Sequence, residues 1–266
     1  MAALLMMPMM KLLLFLSMLP AAACAALVER TVAYEQGDAT LEGFHVYDDA
    51  RNGKRPAVLI IHQWTGLTDY EKLRARMLAG MGYNVFAADI YGKGIRPQPP
   101  AAGKEAGKYK GDRDLYRARL AAGLEVLRND ERTDPRRIAA IGYCFGGTGV
   151  LELARSGAGI AGVVSFHGGL GAGDGHAATK GGVPARILVL HGADDPYVPF
   201  SEVEGFWKEM QAAGADWQII TYPNAVHAFT QKMAGDDPSK GAAYDATADR
   251  RSWRHMQAFF AAIFGE

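Results

Sequence analysis

Apolar and polar positions alternate in the first patterned part of the chain. Val28 to Glu35 and Ala39 to Tyr47 read as half-buried strands, and Gln36-Gly37-Asp38 between them is a tight turn. The pair predicts an antiparallel hairpin. After the polar turn Asp49 to Arg55 the pattern changes to a continuous apolar run, Pro56-Ala57-Val58-Leu59-Ile60-Ile61. A strand covered on both faces of a parallel sheet requires such a run. A helix is expected from about Asp69 to Met81 and a strand from Asn84 to Asp89. The unit then repeats: helix Leu115 to Leu127, strand Ile138 to Gly142, helix Gly147 to Arg155, strands Ile160 to Phe166 and Ala185 to Leu190, helix Glu202 to Ala213, strand Trp217 to Tyr222 and a closing helix Tyr244 to Phe264. In that helix Trp253, Met256, Phe260 and Ile263 recur at helical spacing and are expected in the core. Strands alternating with helices predict one doubly wound, mostly parallel sheet over residues 27–266, with the first hairpin at its edge. The Lys- and Pro-rich stretch Gly92 to Gly111 is expected to be the one long connection without secondary structure, either a solvated basic excursion or a loop over a binding site.

Residues 1–26 follow a different pattern. Lys11 precedes the apolar run Leu12 to Leu19, then Pro20 and the small residues Ala21 to Ala26, with Met9 or Met10 as alternative starts. These features predict a secretory signal cleaved after Ala23 or Ala26, too short to span a bilayer. Ala21-Ala22-Ala23-Cys24 also resembles a lipoprotein box, but alanine stands where leucine is usual, three before the cysteine. Soluble export, periplasmic or secreted, is therefore expected over a lipid anchor at Cys24.

Composition adds two constraints. The hydrophobic fraction of 49% is ample for a large core, and the formal net charge of +0 gives no electrostatic footprint for nucleic acid. Of the two cysteines, the leader removes Cys24, which leaves Cys144 as an unpaired thiol in an oxidising compartment. Such a thiol is a candidate for reactivity.

Cys144 also sits at a special place. Gly142-Tyr143-Cys144-Phe145-Gly146-Gly147 joins a predicted strand to a predicted helix, with glycines two before and two after the cysteine. This is the G-x-nucleophile-x-G corner, where small neighbours let the backbone turn sharply and lift one side chain above the sheet. Ligands of open α/β sheets bind beyond the carboxyl ends of the strands. Two later strand ends carry His191-Gly192-Ala193-Asp194-Asp195-Pro196-Tyr197-Val198-Pro199 and Pro223-Asn224-Ala225-Val226-His227-Ala228-Phe229. With Cys144 they supply nucleophile, acid and histidine in the chain order of α/β-hydrolases. The chemistry needs all three: an ordinary thiol is mostly neutral at pH 7, an imidazole can take its proton, and a carboxylate fixes that imidazole. His167, before Gly168-Gly169, is a candidate pocket residue, and His62 and His191 are expected in or behind the site's walls. The sequence contains no His-Glu-x-x-His, Cys-x-x-Cys or phosphate-binding glycine loop, so no metal or nucleotide cofactor is expected.

The cysteine corner, the His-Gly-x-x-Asp-Pro-x-Val-Pro run, the late His-x-Phe and Asp89-Ile90-Tyr91-Gly92 together resemble the dienelactone hydrolase family of α/β-hydrolases, over about residues 29 to 264. The resemblance implies Cys144 as nucleophile, His227 as general base and Asp195, rather than Asp194, as the triad acid. It implies an oxyanion hole from the backbone N–H groups of Phe145 and Trp64. Two positions depart from the family. Gln63 stands where members typically carry a glutamate that helps control the thiol's protonation. Lys93 and Gln231 stand at the positions of two arginines that bind a substrate carboxylate. The resemblance implies hydrolysis of a small-molecule ester or lactone through a thioester, by a monomer with no stable membrane insertion. A catalytically weak binding or thiol-sensing protein on this fold, or a broad carboxylesterase or thioesterase, are the alternatives.

Overall fold

The continuous apolar run forms the middle of the sheet. In a computed structural model that describes residues 27–265, Arg55–Ile61 is β3, buried along its whole length between two parallel neighbours. Ala57, Leu59 and Ile61 point into one core layer, and Val58 and Ile60 into the other. Period-two alternation thus divides a uniformly apolar strand between two cores. The leader, Cys24 and the proposed cleavage sites lie outside the described residues.

The other strands are β1 (Leu27–Gln36), β2 (Ala39–Asp48), β4 (Asn84–Ala88), β5 (Thr133–Tyr143), β6 (Gly162–Phe166), β7 (Arg186–Gly192) and β8 (Trp217–Tyr222). They form one eight-stranded sheet in the order β1-β2-β4-β3-β5-β6-β7-β8. The β1–β2 hairpin is antiparallel and joins the sheet antiparallel to β4; every other pairing is parallel. This is the α/β-hydrolase arrangement the sequence predicts, with the hairpin at the edge. The chain steps from β3 outward to β4 and then returns to the other side of β3 with β5. The carboxyl ends of β3 and β5 therefore border the point where strand order reverses, the usual place for a ligand.

Helices cover both faces. On one lie α1 (Asp69–Gly80) and α6 (Ala246–Phe264); on the other lie α2 (Ala101–Gly111), α3 (Arg113–Arg128), α4 (Phe145–Arg155) and α5 (Phe200–Ala213). In α6, Met256 and Phe260 are fully buried, with Trp253 and Ile263 packed beside them as their spacing requires. Caps set the helix starts. Asp112 accepts the N–H of Leu115, so α3 begins two residues before the apolar pattern, and Asp245 accepts those of Thr247 and Ala248, so α6 begins at Ala246 rather than Tyr244.

One expectation fails. The Gly92 to Gly111 stretch is not without secondary structure: after Pro99-Pro100 it forms α2. Three helical glycines and three prolines hid a short apolar stripe, Ala102, Ala106 and Tyr109, all buried. Tyr109 anchors it by stacking on Tyr91 with ring centroids 5.3 Å apart and donating its hydroxyl to the Tyr91 carbonyl at 3.1 Å. Tyr109→Ala should lower the local stability of α2 by on the order of 3 kcal/mol. Trypsin would then cleave the folded chain faster after Lys104, Lys108 and Lys110; unchanged cleavage would mean that this contact does not hold the helix.

Candidate active site

The β5–α4 corner is closed by backbone packing that admits no side chains. A Cβ on Gly142 would lie 1.9 Å from the Gly146 carbonyl oxygen, one on Gly146 2.1 Å from that of Ile61, and one on Gly147 2.8 Å from the Gly168 Cα. Real Cβ atoms do not approach so closely, so glycine is required at all three. Between them Cys144 is held at φ 55° and ψ −110°, with its side chain half-buried. Phe145 is the first residue of α4, and its N–H has no partner within the helix.

His227 meets this corner from the loop after β8. Its Nε2 lies 3.1 Å from Cys144 Sγ and its Nδ1 2.8 Å from Asp195 Oδ2. Asp195 is buried and also accepts the N–H of Tyr197 at 2.9 Å, whereas Asp194 points to solvent. Of the two neighbouring acids, Asp195 is therefore the one at the histidine. The histidine loop is pinned by two backbone bonds, His227 N–H to the Gly241 carbonyl and Ala243 N–H to the His227 carbonyl. Among the described residues, the non-glycine residues with positive φ are Cys144, His167, Asn224 and Ala228. All four follow the carboxyl ends of β5, β6 and β8. Such conformations cost about 1–3 kcal/mol each and persist where surrounding structure enforces them.

The electrostatics of the pair are reciprocal. Burial opposes ionisation of Cys144, but the His227 cation, the charge of Lys110 and the Phe145 N–H outweigh it and hold the thiol below its ordinary value. Burial likewise opposes a charge on His227, yet the Cys144 thiolate and Asp195 push its pKa up to about 10. Both shifts run the same way, each group favouring the charged form of the other. Lys110 stands on α2, the helix that the sequence pattern concealed.

Three other imidazoles surround the pair, and burial drives each toward its neutral form. His62 ties two loops together: it accepts the Ile90 N–H on Nε2, so Nδ1 carries the proton and donates to the Gln63 carbonyl. His167 is fully buried, bonds Thr230 Oγ1 at 2.8 Å through Nε2 and packs edge-on against His227 with centroids 5.4 Å apart. Behind Thr230 runs a chain of Tyr70, Arg74 and Asp249 that ties the histidine loop to α1 and α6. His191 is buried in β7.

Trp64 lies in the loop after β3, and its carbonyl accepts the Tyr91 hydroxyl at 2.9 Å. Because Gly146 packs on Ile61 and His62, the start of α4 and this loop are neighbours. Glu71, fully buried in the first turn of α1, holds the loop at both ends: its carboxylate accepts the N–H of Gln63, the N–H of Thr68 and the Thr68 hydroxyl. Thr68-x-x-Glu71 is a capping box, a signal present in the sequence that the search for chemistry passed over. The expected substrate contacts are less well assembled. Lys93 turns to Glu42, 3.2 Å away, with 60% of its side chain exposed, and Gln231 is buried with Nε2 unpaired. Among the described residues no group of three or more His, Cys, Asp or Glu side chains is gathered as a metal site, and no helix is long and apolar enough to cross a membrane.

Comparison with known proteins agrees with this architecture. A Caenorhabditis elegans protein is 36% identical over 154 residues, covering 55% of this chain and 92% of its own. A provisionally named carboxymethylenebutenolidase of Yersinia pestis is 25% identical over 247 residues, 86% of each chain. The crystal structure of a dienelactone hydrolase-like promiscuous phosphotriesterase from metagenomic libraries superposes with a TM-score of 0.85 at 38% identity, covering 90% of this chain and 99% of that one. The profile of the dienelactone hydrolase family matches residues 41–264. By that match, and by the sheet on which its cysteine corner is built, the chain belongs to the dienelactone hydrolase family and is a hydrolase of the α/β-hydrolase fold.

Proposed function

We propose that the chain hydrolyses carboxylic esters or lactones with Cys144 as nucleophile, His227 as general acid and base, and Asp195 as the carboxylate that orients the imidazole. The supporting observation is the continuous chain from Asp195 Oδ2 through both nitrogens of His227 to Cys144 Sγ, at 2.8 and 3.1 Å. The thiolate attacks the carbonyl carbon, and the displaced π electrons make an oxyanion in reach of the Phe145 and Trp64 N–H groups. The intermediate collapses with loss of the alkoxide, which takes the proton of the imidazolium, and a thioester remains. Neutral His227 then removes a proton from water as that water adds to the thioester. Collapse releases the acid and restores the thiolate and imidazolium. In a lactone the alcohol stays tethered to the acyl group and leaves with it. The likeness to a protein titled a promiscuous phosphotriesterase makes phosphotriesters a second electrophile class for the same nucleophile. Export to the periplasm or beyond completes the reading and rests on the pattern of residues 1–26 alone.

Cys144→Ala should lower kcat/KM for p-nitrophenyl acetate by a thousandfold or more, of the order found when a covalent nucleophile is removed. In the wild type, acid quench and mass spectrometry should find the acetyl group on the peptide that carries Cys144. Full activity of the alanine variant, or an acyl group elsewhere, rejects the mechanism.

The ion pair exists only between the lowered thiol pKa and the raised imidazole value of about 10. The rate of iodoacetamide labelling of Cys144 should accordingly rise below the ordinary thiol value of about 8.5. In His227→Ala the inflection should move up to that value or beyond, because burial remains and the cation is gone; an unmoved inflection means His227 does not set the thiol's charge. Gln63→Glu tests the family departure in the same assay. A carboxylate at Gln63 close enough to Cys144 would oppose the thiolate and shift the inflection upward, and no shift would make Gln63 incidental.

A further inference from the structure

An aromatic side chain stands at the catalytic histidine with most of its surface in solvent. Tyr197 is 61% exposed, yet its ring lies 5.4 Å from that of His227, at 84°. It is held from three sides. Its N–H donates to Asp195 Oδ1 at 2.9 Å, its hydroxyl reaches the Lys240 carbonyl at 3.4 Å, and its ring rests on Gly241, where a Cβ would lie 3.2 Å from the hydroxyl oxygen. A scattered exposed tyrosine needs no explanation, but one locked in place beside the base that serves the nucleophile is different. With 61% of the residue in solvent, aromatic surface of Tyr197 remains open beside His227. Lys240, whose carbonyl the hydroxyl reaches, pairs its ammonium with Asp237 at 3.6 Å, so Tyr197 offers a π surface rather than a charge.

We propose that Tyr197 is a specificity-determining residue of this site, and that its open face receives the aromatic group of a benzyl- or aryl-bearing ester while the carbonyl is presented to Cys144. The inference rests on the reading of Cys144 and His227 given above. A ring stacks on another ring in offset or edge-on geometry and gains beyond the area it buries, which an aliphatic group of equal size does not. The recognition therefore discriminates aromatic from saturated substituents, and it acts on substrate binding.

The test compares benzyl acetate with cyclohexylmethyl acetate, whose leaving groups are primary alcohols of similar size, so chemical reactivity is held nearly constant. The wild type should favour the benzyl ester in kcat/KM. Tyr197→Ala should cut that preference about tenfold, mainly through a higher KM for the benzyl ester, and Tyr197→Phe should retain it. A ratio that is the same in wild type and Tyr197→Ala overturns the proposal, as does a phenylalanine variant that behaves like alanine. So does a wild type that hydrolyses neither ester. In each case turnover of p-nitrophenyl acetate that disappears in Cys144→Ala shows that the triad reading stands although the aromatic one has failed.

Discussion

The whole site depends on a steric constraint, the close approach of backbone to backbone where β5 turns into α4. Gly142 faces the Gly146 carbonyl and Gly146 faces that of Ile61, each at a distance that no side chain could share. The constraint does two things at once. It forces Cys144 into a conformation of positive φ that lifts the thiol above the sheet edge, and it presses the first turn of α4 against the end of β3. The N–H of Phe145 and the Trp64 loop become neighbours because Gly146 leaves no gap between them. The cost of holding Cys144 there is offset by α4 itself, all of whose residues are buried, and by Arg155 at its end, which bonds Glu152, Glu209 and the Leu170 carbonyl.

Given that corner, charge is sorted by partner rather than by burial. His62, His167, His191 and His227 are all largely removed from water, and desolvation alone would leave every one of them neutral. His227 differs because it touches a carboxylate on one side and a thiol on the other, and each favours the imidazolium. Their environments push these groups apart: of the four imidazoles, His62, His167 and His191 are driven toward the neutral form and His227 toward the cation. The network from His167 through Thr230 to Arg74 supports the histidine loop from behind.

Most of the fold was legible in the sequence because its strands are either uniformly apolar or strictly alternating, and each pattern has one structural reading. The grouping of Cys144, Asp195 and His227 was legible because the three residues follow strand ends in order. Asp195 could be preferred to Asp194 only through a family pattern, yet the structure gives a plain reason: only one of two adjacent side chains can turn inward to His227. Helix α2 was hidden because Gly103, Gly107 and the prolines diluted a three-residue stripe, and with it went Lys110, whose charge bears on the thiol. Lys93, matched along the chain to a substrate-binding position, pairs with Glu42 in the structure. A position matched along the chain says nothing of which acid its long side chain will find, and Glu42 lies nearer. Tyr197 belongs to the Asp-Pro-x-Val-Pro run, but nothing in sequence separates a buried loop aromatic from an exposed one that meets the ring of His227 edge-on.

The absence of a carboxylate at Gln63 then acquires a physical meaning. The loop after β3 does have an acid, Glu71, but its oxygens are occupied by the N–H groups of Gln63 and Thr68 and by the Thr68 hydroxyl. Burial raises its pKa and these bonds lower it, so it serves to hold the loop's shape. An ionised group at position 63 would instead add a negative charge to the loop after β3, and negative charge near a thiol favours its neutral form. A neutral amide there removes that opposition. With His227 raised by its two partners, the balance at Cys144 is tilted toward the thiolate.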